Sequence, residues 1–215
     1  MKQMISCKPT IEVLIVGPLA SNCYIVWDDE TKQGVIIDPG DDAQLILEKL
    51  KDLDIEIKYI LVTHGHFDHV GAVAFLKKEL KSEFLAHKED LFFIEDAENA
   101  AARWGFKIEN PSKPDRFIDD GEIIEVGCLK FKVIHTPGHS PGGVSFLIND
   151  IVFCGDTLFQ GSIGRTDFRK GSFVELAKSI KTRLYTLPDK TIVYTGHGPS
   201  TTIGNEKKYN LFVRP

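Results

Sequence analysis

Four side chains able to bind a metal fall within six positions of this sequence, in Thr63-His64-Gly65-His66-Phe67-Asp68-His69. Imidazole nitrogen and carboxylate oxygen are the usual donors to zinc, and packing alone gives no reason for such density. A turn at the end of a strand can aim His64 and His66 one way while Asp68 and His69 face a second point, so one segment could serve two metals. Three later loops each add a donor beside glycine: His139 in Thr136-Pro137-Gly138-His139-Ser140-Pro141-Gly142, Asp156 in Gly155-Asp156-Thr157, and His197 in Gly196-His197-Gly198-Pro199. Glycine there lets the backbone turn tightly and approach an ion. Five histidines and two aspartates are too many for one four-coordinate site. They fit two metals: three histidines on one, an aspartate and two histidines on the other, and one aspartate between.

Strands are expected to deliver all four loops. Residues 58–62 precede the first, 129–134 the loop of His139, 151–154 that of Asp156 and 191–194 that of His197. The β-rich runs 11–16, 23–27 and 34–37 open the chain and end at Asp38-Pro39-Gly40, and further strands are expected at 84–86, 122–126 and 143–148. Apolar residues recur at helical spacing at Leu45, Ile46, Leu47 and Leu50, over 70–80 and over 173–184, with a last helical piece near Gly204. Residues 88–119 are acidic, aromatic and partly helical by pattern and end in a proline-containing stretch, Asn110-Pro111-Ser112-Lys113-Pro114-Asp115-Arg116-Phe117, which predicts an irregular excursion that caps the core. Strands, helix and strand occur in each half. The expectation is an α/β protein, an αββα sandwich of two mixed sheets packed face to face with helices outside, as a single domain over 1–215.

Composition narrows the partners. The chain has 215 residues, 42% hydrophobic and 27% charged, with 18 glycines and 10 prolines, which excludes disorder and collagen-like repeats. A chain of this length buries roughly 70% of the surface its unfolded form exposes and needs no disulfide or structural metal to staple its core, so a metal here is expected to be functional. With 26 Lys+Arg against 31 Asp+Glu the net charge is -5, which argues against nucleic acid and anionic lipid as partners. No apolar run reaches the roughly 20 residues of a membrane span, and the first residues lack the apolar core of a secretory signal. The cysteines Cys7, Cys23, Cys128 and Cys154 are widely spaced, so reduced thiols and a cytoplasmic location are expected, with Cys154 a buried small hydrophobe.

The order His-x-His-x-Asp-His, a lone His in a Gly-Pro loop, Asp after a strand and a late Gly-His resembles the metallo-β-lactamase superfamily, over residues 10 to about 210. The resemblance implies the αββα sandwich and a dinuclear site: His64, His66 and His139 on the first metal, Asp68, His69 and His197 on the second, and Asp156 bridging. Within the superfamily, Gly-Asp-Thr-Leu-Phe, residues 161–168 and Gly-His-Gly-Pro-Ser-Thr-Thr-Ile-Gly-Asn-Glu are similar to the short glyoxalase II-like (hydroxyacylglutathione hydrolase-like) hydrolases. That likeness implies two zinc ions, with iron or manganese able to replace them, and a small-molecule thioester as substrate. Water activated at such a centre would attack the thioester carbonyl, with Asp68 orienting it and carrying its proton toward the leaving thiolate. The longer glyoxalase II enzymes carry an added helical domain that holds glutathione; only residues 198–215 follow His197 here, which leaves the thiol carrier open. Penicillin-opening members usually lack this Asp-His pair or the bridging Asp, which points away from antibiotic hydrolysis.

Gly164-Arg165-Thr166-Asp167-Phe168 also resembles the persulfide dioxygenases of the same superfamily, in which a single iron would sit on His64, His139 and Asp156. That is the main alternative. A nuclease is disfavoured by the charge, and a metal-binding module without turnover by the completeness of the donor set. Arg165 could reach a substrate carboxylate or pair with Asp167. His135 is expected to support or pack near the site, His87 to lie at the surface or in a loop, and Tyr194 and Thr195 to be core. Phe92, Phe93, Trp104 and Phe106 are expected mainly in the core, with one or two lining an acyl pocket.

Overall fold

The strands β2 (Ser21–Trp27) and β3 (Gln33–Ile37) carry apolar residues on both faces, so each needs cover on two sides. In the computed structural model, which describes residues 7–215, that cover is a second sheet on one face and helices on the other. The first sheet runs from β1 (Thr10–Val16) through β2 and β3 to β4 (Glu56–Leu61), β5 (Glu83–His87) and β6 (Arg116–Ile118), in that order. It is antiparallel from β1 to β3 and parallel from β3 to β6.

The second sheet contains β7 (Ile123–Val126), β8 (Leu129–His135), β9 (Val144–Ile148) and β10 (Ile151–Phe153) as an antiparallel meander. A small hairpin of β11 (Leu158–Phe159) and β12 (Ser162–Ile163) follows. The sheet is completed by β13 (Ile192–Tyr194), parallel to β10, and by β14 (Thr201–Thr202). Between the sheets lie Tyr24, Val26, Ile37 and Leu85 from the first and Phe131, Phe146 and Phe153 from the second, all buried.

The outer faces are closed by helices. Ile25, Ile36 and Ile60 pack under α1 (Ala43–Leu53), under the short α2 (Phe67–Val70), and under α3 (Val73–Leu80), α4 (Leu91–Glu95) and α5 (Ala97–Arg103). Val152 and Val193 pack under α6 (Phe173–Ser179) and α7 (Ile203–Tyr209). The αββα sandwich of two mixed sheets is therefore the observed architecture.

Four expectations change. The helix expected over 70–80 is two helices, because Ala72 N–H donates to the Pro39 carbonyl and the break leaves Asp68 and His69 on a helical turn of their own. The cap has the expected helical part, α4 and α5, but its end is not irregular: it enters the first sheet as β6, beside β5. His87 is buried at the end of β5, its ring stacked on His135 at 4.5 Å, because the cap folds over it. The four cysteines are not all free thiols. Cys7 and Cys128 form a disulfide with Cα atoms 5.8 Å apart, while Cys23 and Cys154 are free and buried. Sequence spacing could not show this, since Cys128 lies in the turn between β7 and β8 and Cys7 precedes β1, where its carbonyl accepts from Asn149 Nδ2. No helix among the described residues is long and apolar enough to cross a membrane.

Candidate metal centre

The seven donors follow the ends of β4, β8, β10 and β13, five of them on loops and Asp68 and His69 on the short α2, and the two sheets bring those ends to one edge of the sandwich. The loops are tied across the sheets: Val144 N–H donates to the Thr63 carbonyl, Gly196 N–H to that of Gly155, and Asn22 N–H to that of Gly196. At Gly196 any side chain would collide with Asp156 Oδ1, so the close approach of these two loops requires glycine.

Within the cluster, His139 Nε2 stands 3.2 Å from His64 Nε2 and 2.9 Å from His66 Nδ1. A second group forms from Asp68, His69 and His197, with His197 Nε2 3.2 Å and His69 Nε2 3.6 Å from Asp68 Oδ2. Asp156 lies between them. Its Oδ1 is 3.5 Å from His69 Nε2, and its Oδ2 is 3.5 Å from His139 Nε2 and 3.7 Å from His197 Nε2. Two donors held about 2.1 Å from one ion in tetrahedral geometry stand about 3.4 Å apart, so these separations suit shared ions better than direct hydrogen bonds. His69 Nε2 and Asp156 Oδ1 are also buried with no hydrogen-bond partner. Leaving such atoms unpaired is costly, and a cation between them removes the cost. The residues present fit two metal ions.

Most of the rings are held from behind, which leaves the other nitrogen facing inward. His139 Nδ1 is 2.7 Å from the Arg165 carbonyl, His197 Nδ1 is 3.1 Å from the Leu19 carbonyl, and His64 Nδ1 is 3.1 Å from Thr63 Oγ1. His69 Nδ1 is 3.1 Å from Asp38 Oδ2. Asp38 also accepts from Thr63 N–H at 2.7 Å and Thr63 Oγ1 at 2.6 Å, so one buried carboxylate fixes both the loop and a ring.

The electrostatics differ across the cluster. Burial, followed by the neighbouring imidazoles, holds His64 well below the usual histidine range, and burial with His139 brings His66 down to about 3. Both rings are therefore neutral and can offer lone pairs. Burial opposes charge on His69 too, but the carboxylates of Asp68, Asp156 and Asp38 outweigh it and raise the ring to about 10. His197 is raised against burial by Asp68 and Asp156, and Asp68 is lowered against burial by His69 and His197. The carboxylate side of the cluster attracts positive charge.

Asp90, outside the expected donor set, joins the two loops of the first group. Its carboxylate accepts from Gly65 N–H at 2.8 Å, Ser140 Oγ at 2.7 Å and Gly142 N–H at 2.6 Å, and the residue is buried. An Asp90→Asn amide would point its NH2 at one of two backbone N–H donors, at a cost of about 1–3 kcal/mol. The variant should unfold at lower urea and bind metal more weakly than the parent. An unchanged unfolding midpoint would show that the clamp is not needed.

A cavity of about 570 Å³ opens beside the cluster, reached by His66, Asp68, His139, Asp156 and His197. Its walls include Phe92, Phe93 and Trp104 from the cap and Phe159 and Phe168 from the opposite loops. Phe106 instead packs on the core, Thr195 is buried and Tyr194 is partly buried against the core between the sheets. His135 supports the site at one remove, its Nε2 donating to the Pro141 carbonyl at 2.9 Å. Arg165 is bound to Asp167 through two hydrogen bonds of 2.9 and 2.8 Å. Asp38, Asp90 and Phe159 were not among the expected site residues. The signal for Asp38 was the Asp-Pro-Gly turn closing a strand, while Asp90 had none beyond an acidic neighbourhood.

The model of the Metallo-beta-lactamase superfamily matches residues 16–197. The chain belongs to that superfamily. Among superfamily relatives, the hydroxyacylglutathione hydrolase GloC of Haemophilus influenzae is 42% identical over 207 residues, covering 94% of this chain and 97% of that protein. Three solved structures are also similar. A structure titled BLEG-1 B3 metallo-beta-lactamase has TM-score 0.90 and 38% identity, covering 96% of this chain and 100% of that one. TTHA1623 in a di-iron-bound form has 0.87 and 42%, covering 94% and 100%. ETHE1 from Myxococcus xanthus has 0.78 and 30%, covering 94% and 83%.

Proposed function

We propose that this superfamily member is a dinuclear metal-dependent hydrolase acting on a thioester, S-2-hydroxyacylglutathione or a related acyl thioester, in the manner of glyoxalase II. The observation that carries the proposal is Asp156, whose two oxygens face His69 on one side and His139 on the other. His64, His66 and His139 would hold one ion and Asp68, His69 and His197 the second. Zinc is proposed at both positions, and the di-iron form of TTHA1623 supports iron as a substitute. The name of the Haemophilus influenzae relative supports the thioester.

Metal ions held there would supply a water of pKa about 7 and an electrophilic position for a carbonyl oxygen. The chain's residues arrange the rest. Ser21 Oγ donates to Asp68 Oδ2 at 3.2 Å, which fixes a carboxylate able to orient the water and pass its proton toward the leaving sulfur. Phe93 and Phe168 stand edge-on to His66 at 4.7 and 5.4 Å and limit bulk water on that side.

The mononuclear iron persulfide dioxygenase remains as a second reading because ETHE1 is 30% identical and Gly-Arg-Thr-Asp-Phe is present. That reading needs three donors, and it gives no use to the convergence of Asp68, His69 and His197. The purified protein should hydrolyse S-lactoylglutathione or a simpler acyl thioester, lose the activity to a chelator and regain it with zinc. Neither oxygen uptake with glutathione persulfide nor opening of a chromogenic cephalosporin is expected. Absence of hydrolysis on every thioester with oxygen uptake present would replace the proposal with the second reading.

A further inference from the structure

At the rim of the cavity, among the described residues, two arginines are paired with carboxylates and a third is not. Three arginines line it, Arg103, Arg165 and Arg169. Arg103 is bound to Asp96 at 2.8 Å, and Arg165 is held by Asp167 in a two-point pair. Arg169 has no ion-pair partner within 4.0 Å among the described residues. Its guanidinium lies 5.8 Å from the centre of the Phe92 ring, and Lys170 Nζ lies 3.8 Å from that same ring. Phe92 in turn sits against Phe93, which touches His66. A continuous aromatic wall therefore leads from the donor cluster to one uncommitted guanidinium at the mouth.

Resting on the thioester reading, we infer that Arg169 is a substrate-binding residue that selects a thioester with an anionic thiol carrier. The acyl carbonyl would lie at the donor cluster, the carrier along Phe93 and Phe92, and its carboxylate or phosphate at Arg169. The assignment differs from Arg165, which the sequence made the candidate. A guanidinium already chelated by Asp167 has to break two charge-assisted hydrogen bonds before it can take a substrate anion, whereas Arg169 has none to break. Its ring contact holds the guanidinium near the rim without neutralising it, and Lys170 beside it adds to the local positive field. An anion taken at this solvent-facing position is screened by salt, so carrier selection should weaken as ionic strength rises.

The test keeps the acyl group constant and changes the carrier: acetyl thioesters of glutathione, of 4′-phosphopantetheine and of the neutral N-acetylcysteamine. Arg169→Ala should raise KM for an anionic carrier by about tenfold, the worth of a charge-assisted hydrogen bond, with kcat held. The neutral ester should be unaffected, and Arg169→Lys should recover part of the loss. The glutathione and phosphopantetheine esters separate a carboxylate from a phosphate as the anion. Equal losses on charged and neutral esters, or no loss on either anionic ester, would overturn the inference.

Binding of the unreactive S-hexylglutathione, followed through Trp104 fluorescence or calorimetry, gives a readout that does not need turnover. Weaker binding in Arg169→Ala without hydrolysis of any ester by the parent would retain the anion site and sink the thioester reading. Binding equal in parent and variant, beside normal hydrolysis, would sink the anion site alone.

Discussion

Asp156→Asn is expected to reduce the metal content from two ions per chain to one or none and to lower hydrolysis by at least about a thousandfold. The carboxylate lies between the two groups of donors: its Oδ1 faces His69 Nε2 of the second, and its Oδ2 faces both His139 Nε2 of the first and His197 Nε2 of the second. An amide has only one oxygen for these roles. Its NH2 would point a hydrogen toward His69 or His139, where an ion would have to be, and the charge that offsets two dications would fall by one. A change outside the donor set typically costs 10–100-fold in metal affinity, and this change is inside it. Metal analysis by mass spectrometry beside the hydrolysis rate checks the prediction. Two metals retained in Asp156→Asn, with activity near the parent's, would remove the bridging role.

The second large effect is expected at a residue that touches no reacting atom. Asp38 is a positioning residue: its Oδ1 takes the Thr63 N–H, while its Oδ2 takes both the Thr63 hydroxyl and His69 Nδ1. In Asp38→Asn the amide oxygen must stay on the Thr63 N–H, so the NH2 faces Thr63 Oγ1 and His69 Nδ1. His69 Nδ1 then becomes the acceptor, and its proton moves to Nε2, the nitrogen that should face an ion. The chain can still fold around an amide of the same size. Metal affinity at the group containing His69 should fall about 10–100-fold, the range found for groups that orient a ligand. Titration with zinc, read against a chelating dye, should show one site weakened and the other near normal. Two weakened sites with a lowered unfolding midpoint would show that Asp38 acts through the fold rather than the tautomer.

The candidate donors were legible because they are written in residue type: no packing need explains four metal-capable side chains between His64 and His69, nor a donor beside glycine after each of three strands. The sheets were legible from the runs on β2, β3, β8 and β9, whose continuous or alternating apolar pattern states how many faces are covered. Partners across space were not. Asp38 looks like the first residue of a turn, and only the return of the chain through β4 brings Thr63 and His69 to it. Asp90 reads as one more acid in an acidic cap, and His87 as a loop residue, until β6 closes the sheet edge beside β5. Strands of two residues such as β11, β12 and β14 are too short for periodicity to register. The pairing of Cys7 with Cys128 depends on a contact 121 residues apart, which spacing cannot encode.

Whether two metals share the Asp156 carboxylate is decided by the number of metal ions per chain in protein purified without added metal. Two are expected, zinc or a zinc and iron mixture, falling together with thioester hydrolysis on chelation. A single iron per chain, with Asp68→Ala leaving that iron in place, would contradict the sharing.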